Sequence, residues 1–240
     1  VAITLLSSVL TGDAAGDHKA VTSANIDTSG ADLLVVVVTG YDATNTPVVT
    51  DSKNNHTTPG WTARTKYSST NGYVQIFYCV PSSVGTGHNF TVTTSGDSYP
   101  AIAAFAFSGA HATPYDGENG ANSSSATSLA PGSVTPGEND CVLVTGLMAY
   151  TRGAATVPTG YTGHVAAYVA SNYLSSGAAY KIQTSAGAEN PSWSWSGSDQ
   201  CAANIAVFKS AAGGGGGGTL LPFLTNKRAN RMALVGGRQI

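Results

Sequence analysis

The sequence predicts an all-β protein: two tandem jelly-roll or immunoglobulin-like β-sandwich repeats packed as one two-lobed body, followed by an extended C-terminal tail. Three observations lead there. Short runs rich in Val, Ile, Thr, Tyr and Phe are separated by Gly, Pro, Asn and Asp, and no helix-length segment carries a helical apolar period. Stretches in the first half of the chain reappear in the second half in the same order. Only 10% of the 240 residues are charged, against roughly 25% in an ordinary globular domain, which excludes a coiled coil, a helical bundle and a disordered acidic chain.

Residues 1–10 (VAITLLSSVL) are apolar enough for part of a signal-peptide core, but no basic segment precedes them, and they are read as a first strand. About seven further strands are expected in the first repeat, over 20–26, 33–41, 47–51, 61–68, 73–80, 89–94 and 101–108. Two of them break the alternation of a half-buried strand. Residues 33–38 (LLVVVV) and 101–107 (AIAAFAF) are apolar on both faces, whereas an isolated antiparallel sandwich leaves one face of each sheet in water. Something must cover the second face, and the second repeat is the nearest cover. Further on, residues 192–196 (SWSWS) alternate with period two, which puts Trp193 and Trp195 on one side of a strand.

The repeat itself is read from paired landmarks. Residues 32–40 (DLLVVVVTG) match 140–146 (DCVLVTG), Pro59-Gly-Trp61-Thr62 matches Thr159-Gly-Tyr161-Thr162, and Tyr78 matches Tyr180. Phe90 falls near Trp193, and 101–109 aligns with 203–211. The expected organisation is an N-terminal strand and first sandwich over 1–110, a polar crossover loop over 111–123, a second sandwich over 124–212, and a Gly-rich linker with tail over 213–240.

Catalytic motifs do not emerge. The sequence has no G-x-S-x-G elbow, H-E-x-x-H, P-loop or C-x-x-C. The Gly96-Asp97-Ser98 triplet has the composition of a hydrolase nucleophile block, but it lies between two strands and reads as a turn. His18, His56, His88, His111 and His164 are isolated and read as solvated loop residues, and the acidic stretches 51–55 and 116–119 read as Asx turns in preference to Ca²⁺ loops. No metal or cofactor is expected, and the chain is read as non-enzymatic. Cys79, Cys141 and Cys201, each inside an apolar run, read as buried free thiols, suited to a reducing cytoplasm. Trp61, Tyr161, Trp193 and Trp195 read as core. If the protein contacts a glycan, the aromatic candidates are Tyr115, Trp193 and Trp195.

Charge is distributed unevenly. Residues 1–212 hold seven Lys/Arg and thirteen Asp/Glu, a balance of -6, while 213–240 hold four basic residues and no acid, a balance of +4. The overall -2 argues against a nucleic-acid partner, and no run approaches the roughly 18 apolar residues of a membrane span. In the tail, Lys227, Arg228, Arg231 and Arg238 alternate with the apolar Leu220, Leu221, Phe223, Leu224, Met232 and Leu234. Such a peptide cannot bury enough of itself to offset its ordering entropy, so it is read as a docking arm that pairs with a sheet edge or inserts between subunits.

The succession TSGADLLVVVV, PGWTART, YVQIFYCVP, FTVTTSG and AIAAFAFSGA, then SVTPGENDCVLVTG, PTGYTGH and NIAVFKSA, resembles duplicated β-sandwich proteins encoded among the virion genes of tailed bacteriophages and in prophages. It covers about residues 17–212, and the glycine tract is similar to segments of phage fibre and adhesin proteins. The resemblance implies a virion structural protein assembled in the host cytoplasm: a capsid decoration, head-fibre or tail-surface subunit. Its partners would be other virion proteins and copies of itself in a homo-oligomer, with a host surface glycan as a further partner. A carbohydrate-binding or host-adhesion module is the alternative reading, and a β-sandwich hydrolase the third.

Overall fold

The aliphatic residues 33–38 are all at most 2% exposed, so the strand that carries them is covered on both faces and must lie inside the molecule. The computed structural model describes residues 2–12, 18–150, 154–169 and 174–211. It is all-β, with antiparallel pairing throughout its sheets. The first half contains β1 (Thr4–Gly12), β2 (Ala20–Thr22), β3 (Leu33–Tyr41), β4 (Pro47–Asp51), β5 (Thr62–Ala63), β6 (Tyr67–Ser69), β7 (Gly72–Cys79), β8 (Phe90–Thr94) and β9 (Ala101–Ser108). The second contains β10 (Ala110–Leu129), β11 (Cys141–Ala149), β12 (Thr162–Val169), β13 (Leu174–Gln183) and β14 (Trp193–Ser210).

Two large sheets and one small sheet result. Their orders are β1-β9-β3-β7-β5, with β6 also on β7, then β10-β14-β11-β13-β12, and β2-β8-β4. Side-chain alternation assigns the faces. Leu33, Val35 and Val37 of β3, with Phe105 and Phe107 of β9, pack against Val142, Val144, Met148, Ala206 and Phe208 of the other large sheet. Leu34, Val36 and Val38 point the opposite way, onto Val49, Phe90 and Val92 of the small sheet. The second large sheet has its own outer core, in which Leu143, Leu147 and Ile205 meet Tyr161, Trp193 and Trp195. Here the covering layer includes the isolated bridges Val134↔Glu189 and Thr156↔Ser194. The doubly apolar strands are thereby explained: each large sheet is an inner layer, and the second face of β3 lies against the sheet that contains β11.

Pairing register repeats at one place and fails at another. Thr62 lies opposite Tyr78 in the first large sheet, as Thr162 lies opposite Tyr180 in the second. Thr39 and Thr145, which the sequence sets side by side, point to different faces. Thr39 Oγ1 meets Ser176 Oγ at 2.5 Å, inside the seam between the large sheets, while Thr145 Oγ1 accepts from Trp193 Nε1 at 3.1 Å in the outer core. A slip of one residue inverts every side chain of a strand, and the Thr-Gly match is out of step by that amount.

The segment expected as a crossover loop over 111–123 is instead part of β10, which runs along β14 from Ala110↔Ser210 to Leu129↔Trp193. Its Asp-Gly-Glu-Asn-Gly chemistry is absorbed by register shifts in an edge strand, where bulges and polar side chains are tolerated because one edge is unpaired. The glycine tract and the tail fall outside the described residues, and with them all ten expected docking positions from Leu220 to Arg238. Among the described residues no helix is long and apolar enough to cross a membrane.

Candidate functional site

A cleft of about 440 Å³ opens where the end of β7 meets the start of β10 and the turn that leads into β5. Tyr78 and Tyr115 line it, together with Pro59, Gly60 and Thr62 of that turn and Thr113 of β10. Tyr78 follows Val74 and Ile76 on one side of β7, so its ring emerges at the margin of the inter-sheet core and meets Phe208 edge-on, centroids 5.3 Å apart. Tyr115 enters after the first register shift of β10. The two tyrosine rings lie 11° from parallel with centroids 6.0 Å apart.

Behind Tyr115 stands an ion pair. The Arg64 guanidinium carbon sits 3.6 Å from the Tyr115 ring centroid, within cation–π range. Arg64 Nε and Nη2 donate to Glu118 Oε2 and Oε1 at 3.1 and 3.2 Å, and the Thr65 hydroxyl donates to Oε1 at 2.6 Å. Burial alone would raise the Glu118 carboxyl, but the Arg64 and Thr65 hydrogen bonds outweigh it and hold the group below its ordinary value. Glu118 thus remains an anion matched by Arg64. The Tyr115 phenol is pushed up, first by burial and then by Glu118.

The turn that contributes Pro59, Gly60 and Thr62 is fixed by a buried polar network. Asp51 closes β4 with its side chain fully enclosed. Its Oδ1 lies 3.0 Å from His88 Nε2 and accepts from the backbone N–H of Lys53 and Asn55, while Oδ2 accepts from Trp61 Nε1 and from the His56 N–H. Burial opposes its charge, yet the bonds from His88, Trp61, Asn55 and Lys53 prevail and hold this carboxyl far below the usual range. Gly60 N–H donates to Asn55 O at 2.8 Å, which ties the cleft wall to the network. His88 Nδ1 lies 2.9 Å from Thr28 Oγ1, so acid, imidazole and hydroxyl stand in line. His88 and Thr28 are both 0% exposed and the Thr28 oxygen is enclosed by Gly85, so this line holds the turn in place and offers no nucleophile to a substrate.

The remaining predicted positions scatter. Trp193 is 0% exposed and Trp195 7%, both in the outer core of the second large sheet, so neither presents a face to a sugar; the period-two spacing that aligned them aligned them inward. Tyr115 alone of the three glycan candidates reaches a cleft. Residues 51–55 form an Asx turn whose carboxylate is occupied by N–H donors, and among the described residues no group of three or more His, Cys, Asp or Glu could hold a metal. Ser98 is buried and donates to Tyr41 O at 3.1 Å. His88 departs from the solvated-loop expectation for histidines. So does His164, half-buried against Phe105, with Nε2 2.8 Å from Ser8 Oγ and its ring pushed below its ordinary value by burial. All three cysteines are buried and free.

No family model, curated protein or solved structure matches the chain.

Proposed function

We propose that the chain is a non-enzymatic structural subunit of a bacteriophage-type virion, a capsid decoration, head-fibre or tail-surface protein, built from a duplicated β-sandwich module and fastened to its neighbour by residues 213–240. The observation that carries this reading is the seam between the two large sheets. Both have the same strand order once β1, β9, β3, β7 and β5 are laid over β10, β14, β11, β13 and β12. The equivalent Thr62–Tyr78 and Thr162–Tyr180 pairs support the same duplication. Two copies of one module that bury a shared face make a stiff, layered body with little charge on its surface, suited to being packed among other proteins. The tail adds charge of opposite sign to that body, which favours a contact between chains.

The test is the solution mass of the full chain by light scattering beside a chain stopped at Ala212. The reading predicts a defined oligomer for the first and a folded monomer for the second. The same mass for both would overturn the tail as an arm between copies of this chain.

A further inference from the structure

We propose that the cleft between Tyr78 and Tyr115 is a binding site for a neutral saccharide, which stacks a pyranose face on the tyrosine rings and bonds its hydroxyls to the rim. The inference goes beyond the assembly role and does not rest on it. Its first support is the pair of rings. Two nearly parallel tyrosines with centroids 6.0 Å apart line the same open cleft, and since Arg64 occupies a face of Tyr115, a sugar would use the ring surface that the pair leaves open to the cleft. A sugar ring has an apolar face of C–H groups and a polar circumference, so it suits a partly exposed aromatic surface beside hydroxyl groups.

The second support is the chemistry of the wall. The lining is made of Tyr, Thr, Pro, Gly, Ala, Val and one thiol, and none of these carries a formal charge at neutral pH, because burial pushes the Cys79 thiol up to about 12. Among the described residues Arg64 and Glu118 pair with each other, Arg64 sits against Tyr115 without lining the cleft, and His111 stands beside the lining with its Nδ1 3.0 Å from the Thr113 hydroxyl. No Lys or Arg is among the residues that line the cleft, so the lining itself offers a phosphate or a uronic acid no fixed cation. Thr62 and Thr113 are both in the lining and their hydroxyls can donate and accept, as a neutral polyol requires, with the Thr113 hydroxyl also 3.0 Å from His111 Nδ1.

Third, the site is built before any ligand arrives. Phe208 braces Tyr78, Arg64 holds Tyr115, and the Asp51 network fixes Gly60 and Trp61. Walls already ordered lower the entropy lost on binding, and the volume falls within the roughly 300–1,000 Å³ of small-molecule sites.

The experiment uses the full chain on an array of neutral, sialylated and sulfated oligosaccharides that includes maltohexaose, cellohexaose and N-acetylchitohexaose. Ring signals of ¹³C-labelled tyrosine are then followed during titration with the best neutral glycan and, separately, with a proline-rich peptide. The expected result is retention of at least one neutral glycan, with shifts at Tyr78 and Tyr115. Tyr115→Ala should weaken binding about tenfold or more, a loss of roughly 1.4 kcal/mol, while Tyr115→Phe keeps most of it. Ala112→Arg, at an exposed rim position where folding is not at stake, should block the cleft. The site is overturned if no neutral glycan is retained, if Ala112→Arg and Tyr115→Ala leave binding unchanged, or if only charged glycans or the peptide move the ring signals. None of these outcomes depends on the solution mass of the chain, so the two readings fail separately.

Discussion

Gly146 faces Val37 across the seam between the large sheets, and a β-carbon on the glycine would stand 2.5 Å from Val37 Cγ1 and 2.8 Å from Val74 Cγ2. Real contacts of that kind are not made, and these methyl groups lie in a filled core with little room to retreat. Gly146→Ala should therefore destabilise the protein by about 1–3 kcal/mol, and Gly146→Val by more. Gly117→Ala is the control, since its β-carbon would meet only Val134 Cγ2, at an ordinary 3.7 Å. Denaturant midpoints of the three variants check the difference.

Asp51 is the acceptor on which the turn over residues 51–61 is organised. Asp51→Ala would strand His88 Nε2, Trp61 Nε1 and three backbone N–H groups in the interior. The expected loss is about 3–5 kcal/mol, measured by urea unfolding.

The same carboxylate sets an acid limit. Its folded value lies below the unfolded one of about 3.9. Its contribution is therefore complete at pH values above the unfolded value and is lost as pH falls through the folded value. Unfolding free energy measured from pH 6 down to pH 2 should decline, and the decline should be shallower in Asp51→Asn.

His164 has the opposite charge and loses stability higher on the pH scale. Burial pushes its ring below 6.5, so as pH falls the unfolded chain takes up this proton before the folded one does. Stability is unaffected well above pH 6.5, falls below it, and stops falling once the folded ring is also protonated. His164→Gln should remove that part of the slope between pH 8 and 5, read as the difference between variant and parent.

The three thiols should be silent in the folded protein. Burial pushes Cys79 up to about 12 and Cys141 and Cys201 up to about 11. A thiol reagent at pH 8 is expected to titrate none of them in the native state and all three in denaturant.

The strands at 33–41, 47–51 and 101–108 were legible because alternation, aliphatic runs and Gly/Pro punctuation are local signals. The inward direction of Trp193 and Trp195 was legible for the same reason. What depends on distant partners was not. His88 looks like a loop residue until Asp51, 37 positions away, is brought to its ring. Thr39 and Thr145 look equivalent because they share a Thr-Gly string, but the face of a strand is decided by its neighbours in the sheet. The cleft was hidden for a related reason. Tyr78 was visible as a repeat landmark and Tyr115 as a glycan-contact candidate in an expected loop, and they meet only because β10 pairs with β14 despite turn-forming residues that suggest a loop.

The proposed role in a virion is tested most directly by quantitative mass spectrometry of density-banded particles prepared from cells that carry the gene for this chain. The expected result is the chain banding with the particles, in many copies relative to the major capsid protein, and lost from them when residues 213–240 are removed. Particles that band without it, with the chain left in the soluble fraction, would contradict a structural role in the virion.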